Sequence, residues 1–349
     1  MPERSVLAHA VLKTDASQRS GLGHLRRCLP LAHALRTAGV RMSIWIEGVD
    51  ALTLVRAEGF AVAVVEPAAL PEAGEADLMI FDGYHYDAQL VAEACARATV
   101  VVALEDLPEQ CLPAHLVLNP GIETPLARER CHPDTEFLVG PSYALVPAEF
   151  LNPFERTYAE TITRVVLTVG GADSLEIMPW LMECARRALP GVALDVIVGP
   201  FFTNRAEIER VAQRLGNSSV WSTLSLAQLR ELMLRADLAI SAGGQTLYQL
   251  AACGTPTITL ALFDNQLNQT KLLAQRGVIE WACDWQEPYM ERRLAAAIAK
   301  LSGASARRAL GETAQRLIDG RGPTRAAAAI IKRLEQTSKR RVQVIADQS

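Results

Sequence analysis

No uninterrupted apolar run in this chain approaches the roughly 18 residues that a membrane-spanning helix needs. Basic residues are not in excess: 35 Lys and Arg stand against 39 Asp and Glu, a formal charge of −4. The electrostatic footprint of a nucleic-acid or anionic-membrane binder is therefore missing. The seven cysteines, at 28, 95, 111, 131, 184, 253 and 283, are never spaced as CxxC. A disulfide framework or zinc knuckle is not expected, and reduced thiols in a cytoplasm are the plain reading. The opening MPERSVLAHAVLKTD lacks the apolar core and small-residue cleavage site of a secretory signal, so the expected location is cytoplasmic. What is present is an apolar half of the composition and a charged fifth over 349 residues, the profile of a globular chain of about two domains.

Short β-branched or apolar runs alternate with longer stretches of helical period. Strands are expected at Ser5–Leu12, Arg41–Ile46, Ala61–Val65, Asp77–Phe81, Thr99–Ala103 and His115–Leu118. Helices are expected at His24–Ala38 and Ala88–Arg97, the first with a kink at Pro30. The alternation restarts after Leu151-Asn152-Pro153-Phe154. Strands then follow at Arg164–Val169, Ala193–Val198, Asp237–Ser241 and Thr255–Leu260. Helices lie between and after them, at Leu175–Leu189, Arg205–Leu215, Leu226–Arg235, Thr246–Cys253 and Asn265–Arg276. Such alternation implies parallel sheets covered on both faces, here in two doubly wound α/β domains. The last stretch is helical and alanine-rich, with a charged tail.

Three glycine-bearing turns follow strands and precede helices: Ser20-Gly21-Leu22-Gly23-His24, Val169-Gly170-Gly171-Ala172-Asp173 and Ser241-Ala242-Gly243-Gly244-Gln245-Thr246. Glycine lets backbone N–H groups approach an anion, and the next helix offers free donors and a positive dipole end. None of the three is a Walker loop or a GxGxxG fingerprint. Together they favour a ligand with phosphates, held outside the carboxyl ends of the strands.

All six histidines lie within the first 132 residues, so any imidazole chemistry belongs to the N-terminal half. His24 is the best placed, directly after a Gly-x-Gly turn at a helix start, where the imidazolium is disfavoured and the ring can accept a proton. Asp15, Asp82, Asp106, Asp173 and Asp264 all fall just past strand ends, and Asp15, in the turn region of His24, is the candidate for orienting the imidazole or a water. His85, beside Tyr84, is a candidate for the same cleft. No HExxH or GxSxG motif occurs, so neither a metal nor covalent acyl chemistry is expected.

Asp15-Ala16-Ser17, followed by Gly21-Leu22-Gly23-His24-Leu25-Arg26-Arg27-Cys28-Leu29, resembles the opening of the PseG/SpsG family. That family comprises UDP-sugar hydrolases of pseudaminic acid biosynthesis and spore-coat polysaccharide proteins, related to MurG-type glycosyltransferases. The resemblance continues through Asp82-Gly83-Tyr84, Glu105-Asp106, Gly140-Pro141-Ser142-Tyr143-Ala144-Leu145 and Gly170-Gly171-Ala172-Asp173. It resumes at Ser241–Thr246, Gly254-Thr255-Pro256, Asn265-Gln266 and Asp319-Gly320-Arg321-Gly322.

What the resemblance implies is a GT-B-like architecture, two Rossmann-like domains facing across a cleft. The N-terminal one would be 1–150 and the nucleotide-binding one 151–325, with a C-terminal helix and charged tail at 326–349. The implied activity is metal-independent hydrolysis of UDP-2,4-diacetamido-2,4,6-trideoxy-β-L-altropyranose, or a related UDP-sugar, to UDP and free sugar with inversion. Its setting would be pseudaminic acid or related surface-glycan biosynthesis, flagellin glycosylation included, beside neighbouring enzymes of a nonulosonic acid pathway. No cofactor, nucleic-acid partner or membrane insertion is implied. The alternative is a GT-B glycosyltransferase with a sugar or lipid acceptor.

By the same resemblance His24 activates water and Tyr84 lies near the reacting sugar; Asp15, from its place in the turn, joins them as a catalytic candidate. Gly21, Gly23, Arg26, Tyr143, Gly170 and Gly171 join Ser241, Ala242, Gly243, Gly244, Gln245, Thr246, Gln249, Asn265 and Gln266 as substrate contacts. The chain departs from the family in four places: Lys13 for an arginine, Ser20 for an isoleucine, Val146-Pro147-Ala148 where an arginine is usual, and Gln249 for a ribose-binding glutamate.

Overall fold

Runs such as Leu78-Met79-Ile80-Phe81 and Val100-Val101-Val102-Ala103 are apolar on both sides of the strand, and in the folded chain both sides are buried. The computed structural model describes residues 8–16, 22–49, 51–105, 112–121, 131, 133–151 and 156–347, apart from the side chains of 265 and 340–347. These fall into two units, 1–145 with 321–349, and 146–320.

The first unit begins β1 (Ala8–Asp15), α1 (Gly23–Thr37), β2 (Val40–Glu47), α2 (Leu52–Ala57), β3 (Ala61–Val64) and β4 (Leu78–Asp82). It continues with α3 (Ala88–Arg97), β5 (Val100–Leu104), β6 (Leu116–Asn119), β7 (Glu136–Val139) and a 3-10 turn at Pro141–Tyr143. The seven strands form one parallel sheet in the order β3-β2-β1-β4-β5-β6-β7. One face packs Leu12, Leu78 and Ile80 against Leu25, Cys28, Leu29, Ala32 and Leu35 of α1. The other packs Val11, Met79 and Phe81 with Val91 and Ala94 of α3. Helix α1 runs unbroken through Pro30, which is buried.

The second unit holds β8 (Arg164–Thr168), α4 (Met178–Ala188), β9 (Ala193–Ile197), α5 (Arg205–Leu215), β10 (Ser218–Trp221) and α6 (Leu226–Arg235). After these come β11 (Leu238–Ala242), α7 (Thr246–Ala252), β12 (Thr257–Ala261), α8 (Asp264–Gln275), β13 (Glu280–Asp284), α9 (Met290–Lys300) and α10 (Ala304–Leu317). Its parallel sheet has the order β10-β9-β8-β11-β12-β13. The chain then returns to the first unit as α11 (Gly322–Asp347), whose Ala326, Ala327, Ile330 and Leu334 enter the core that α1 covers.

Three strands were not foreseen, β7, β10 and β13, and all three lie at sheet edges. Each of the three is short and mixes polar with apolar residues, so none stands out as a continuous apolar run. The C-terminal segment, expected to follow the second domain as a tail, instead completes the first core through the alanine stripe of α11. The reading of every cysteine as a reduced thiol fails at Cys131, which is disulfide-bonded, whereas Cys28, Cys95, Cys184, Cys253 and Cys283 are free. Sequence spacing does not report which thiols meet in space. Among the described residues no helix is long and apolar enough to cross a membrane.

Candidate active site

In the first sheet the order reverses between β1 and β4, and ligands of open parallel sheets bind at the carboxyl ends beside such a reversal. Two periodicities meet there. Leu78, Ile80 and Asp82 share one face of β4, so Asp82 points toward α1 just beyond the apolar core. On α1, His24, Arg27 and Cys28 stand at i, i+3 and i+4 and face the same way. All four side chains are buried, Asp82 completely.

The geometry is tight. His24 Nδ1 lies 2.8 Å from Asp82 Oδ1. Arg27 Nε donates to Asp82 Oδ2 at 2.6 Å, and Arg27 Nη2 donates to Oδ1. The Cys28 thiol donates to Oδ2 at 3.0 Å. Burial alone would raise the Asp82 pKa, but the Arg27 charge and the hydrogen bonds from Arg27 and His24 outweigh it and hold the carboxyl at about 2. Burial, with Asp82 adjacent, pushes the Cys28 thiol well up, so it stays protonated. An ionised Asp82 can only accept, so Nδ1 of His24 carries its hydrogen and Nε2 of the neutral ring presents a lone pair. The Tyr84 ring, 47% exposed, meets the His24 ring edge-on at 4.6 Å.

The expectation that Asp15 orients His24 is corrected here: the carboxylate on His24 is Asp82. Side chains alternate along β1, so Asp15 shares the face of Val11 and Lys13, away from α1. Asp15 lies instead 3.8 Å from His85. Lys13, at the position where the resembled family carries arginine, is fully buried and donates to the carbonyls of Glu66 and Ala69 at 2.7 and 2.9 Å. It fastens the segment after β3. Burial lowers its pKa, against the pull of Glu47 and Glu66.

The second sheet reverses between β8 and β11, and two of the glycine turns leave its carboxyl edge at those strands. Gly170-Gly171 follows β8, and Gly243-Gly244-Gln245 leads into α7. The turn after β9 presses on the first of these. A Cβ on Gly199 would stand 2.4 Å from the carbonyl oxygens of Gly170 and Gly171, so no other residue fits there. Gln266 ties the second turn down: its Oε1 accepts from Gly243 N at 3.2 Å and from Leu262 N at 2.9 Å. Thr246 and Gln249 sit one turn apart on α7, both half-buried, and the Gln249 side chain makes no hydrogen bond among the described residues.

Several expected contacts are otherwise engaged. Ser241 and Ala242 are strand residues, both buried, and Ser241 Oγ donates to the Ala242 carbonyl at 3.0 Å. Asp173 caps α4, accepting from Ile177 N and Met178 N at 2.9 and 3.0 Å and from Asn204 at 3.0 Å. Tyr143 packs against the first core. Gly23 and Arg26 are exposed at the start of α1. Gly21, Asp106 and the Asn265 side chain lie outside the described residues. Arg27, Cys28 and Gly199 were not anticipated as site residues. The i, i+3, i+4 spacing from His24 is the signal that would have found the first two. Among the described residues no group of three or more His, Cys, Asp or Glu is placed to share a metal ion.

No protein-family model matches the chain. Among curated proteins it is 24% identical over 270 residues to the pseudaminic acid cytidylyltransferase and UDP-2,4-diacetamido-2,4,6-trideoxy-beta-L-altropyranose hydrolase of Helicobacter pylori, over 76% of this chain and 47% of that one. The chain thus spans about half the length of that relative. It is 21% identical to the spore coat polysaccharide biosynthesis protein SpsG of Bacillus subtilis, over 94% of this chain and 99% of that one. Among solved structures, Acinetobacter baumannii MurG superposes with a TM-score of 0.67 at 14% identity, covering 93% of this chain and 99% of that one.

Proposed function

Taking as premise a PseG/SpsG-like chain of GT-B fold, we propose that it is a nucleotide-sugar hydrolase. The substrate is UDP-2,4-diacetamido-2,4,6-trideoxy-β-L-altropyranose or a related UDP-sugar, cleaved to UDP and free sugar in the making of a surface glycan. The observation that carries the reading is the His24–Asp82–Arg27 arrangement at the reversal of the first sheet.

The chemistry follows from those contacts. His24 Nε2 takes a proton from water as the water oxygen bonds to the anomeric carbon. The bond from that carbon to the diphosphate oxygen breaks with its electron pair leaving on UDP, and attack opposite the leaving group inverts the centre. Asp82 keeps the ring in the tautomer that can accept, and stabilises the imidazolium once formed. Held ionised by Arg27, Asp82 does not itself take the proton. With the Gly243 N–H held by Gln266 and the Gly170 N–H by Thr168, the backbone N–H groups of Gly171 and Gly244 are the ones suited to the departing diphosphate.

The test is to offer the purified chain a panel of UDP-, GDP- and CMP-sugars and follow free nucleotide, with the anomer of the released sugar read by NMR. UDP release without an acceptor, giving the inverted anomer first, is the expected result. Release that waits for a sugar or lipid acceptor makes the chain a transferase, and binding without turnover refutes both.

A further inference from the structure

The turn after β4 reaches two places with adjacent side chains. Tyr84 lies against His24, and His85 turns toward the carboxyl ends of β1 and β2. A Cβ on Gly83 would stand 2.9 Å from Tyr86 Cε2 and 3.3 Å from His85 Cε1, so glycine is what lets both rings fold back over the turn. His85 Nε2 lies 2.9 Å from Glu47 Oε2. The Tyr86 hydroxyl donates to Glu47 Oε1 at 2.9 Å, and Lys13 Nζ is 3.9 Å from the same oxygen. Burial and Glu47 push the Tyr86 phenol far up, so that it remains a donor. Asp15 stands opposite Glu47 in register and puts Oδ2 3.8 Å from His85 Nδ1, beyond hydrogen-bond range.

Glu47 as a carboxylate can only accept, so Nε2 carries a hydrogen toward it, and in a neutral ring Nδ1 is then the acceptor. The side chain is 38% exposed. A histidine needed only to tie the turn would be redundant, because buried Tyr86 already makes that tie to Glu47. His85 is instead a ring bonded on one edge and part-exposed, with Asp15 3.8 Å from the other edge and outside hydrogen-bond range, one residue from the tyrosine that touches the catalytic imidazole.

We propose that His85 is a specificity-determining contact: its Nδ1 accepts a hydrogen bond from a hydroxyl or acylamino N–H of the sugar whose anomeric carbon faces His24. The inference rests on the nucleotide-sugar reading above and adds to it which side chain reads the sugar. Glu47 and Tyr86 act through His85, as positioning residues.

His85→Gln tests this, because the glutamine amide can keep the donor to Glu47 while removing the acceptor at Nδ1. One lost hydrogen bond of ordinary strength lowers kcat/KM about three- to tenfold, mostly through KM. Thermal stability and the dissociation constant of UDP stay unchanged, and the preference between UDP-N-acetylglucosamine and UDP-glucose narrows. His85→Asn, whose amide oxygen can occupy the place of Nδ1, recovers part of the loss. Rates within twofold of the parent for every sugar overturn the proposal, as does a uniform loss across the panel accompanied by a lower Tm. If the parent hydrolyses no sugar, the hydrolase reading fails separately. Calorimetric binding of the same intact UDP-sugars relative to UDP then decides: a ratio shifted by His85→Gln upholds the contact, and an unchanged ratio sinks it.

Discussion

Replacing Asp82 by asparagine changes one atom of the side chain and reverses what three neighbours meet. Asp82 accepts from His24, twice from Arg27, and from Cys28. An amide offers one acceptor and one donor group. With the amide nitrogen toward His24, Nδ1 must become the acceptor, and the proton moves to Nε2, the atom that has to receive it from water. With the nitrogen toward Arg27, two donors confront each other in a buried site. Either orientation removes the charge that stabilises the imidazolium, and a wrong tautomer in a comparable pair costs on the order of 10^4 in kcat. The buried guanidinium also loses its counter-charge, which costs about 3–5 kcal/mol of stability.

The acid limb of the parent protein measures the same interaction from the other side. Asp82 is held at about 2 against an ordinary 3.8. At 1.36 kcal/mol per unit this is roughly 2–3 kcal/mol. The folded value is the lower one, so that stability is complete above the unfolded value and disappears as the pH falls from about 4 to about 2. The assay is threefold: steady-state UDP release, calorimetric UDP binding, and chemical denaturation between pH 2 and 7. The expected Asp82→Asn protein is less stable, has lost kcat by about 10^4, binds UDP as before, and shows a shallower acid limb. A folded variant with kcat within tenfold of the parent would refute the assignment of Asp82 as the group that orients His24.

His24→Ala is expected to abolish turnover while UDP affinity stays within about twofold of the parent's, because the nucleotide contacts are assigned to the other unit; parallel loss of both would make His24 a folding residue. Gln249→Glu restores the carboxylate of the resembled family on α7 and is expected to tighten UDP binding severalfold, read by calorimetry, whereas an unchanged constant places the side chain away from the ribose. Gln266→Ala leaves the amides of Gly243 and Leu262 without their acceptor. At about 1–3 kcal/mol for a buried unpaired group, it should lower Tm and weaken UDP binding, and affinity retained at lower stability would show that the Gly243 turn does not hold the nucleotide.

Much of the fold was legible because its central strands are buried on both faces, and β4 and β5 therefore write continuous apolar runs into the sequence, β11 and β12 runs broken only by Ser or Thr. The edge strands β7, β10 and β13 need no such run and left none. The site was legible in its backbone and less so in its partners. His24 and the glycine turns announce themselves through residue type and position after a strand. Nearness along the chain favours Asp15, but which carboxylate meets His24 depends on the parity of two strands, and that favours Asp82. The residue type of Gln266 suits a ligand contact, but its side-chain oxygen accepts from Gly243 and Leu262 and so holds the turn. The covering of the first core by α11, from the far end of the chain, is a long-range event with no local signal.

Both sheets reverse at the same topological point, between the first strand of each unit and its fourth, and yet the two reversals are furnished differently. At β1 and β4 the first unit sets a side-chain acceptor with a buried counter-charge. At β8 and β11 the second sets glycine turns, the Gly243 amide of one being held by Gln266. An imidazole held by a carboxylate suits a proton that must move, whereas glycine amides suit a charge that must be tolerated in place. All six histidines of the chain lie in the residues of the first unit, which fits that division. It also explains why the predictions separate: changes at His24 or Asp82 should register in kcat, and changes around Gly243 in nucleotide affinity. A substitution at Asp82 that weakened UDP binding as much as it slowed release would show that the two reversals do not divide the work in this way.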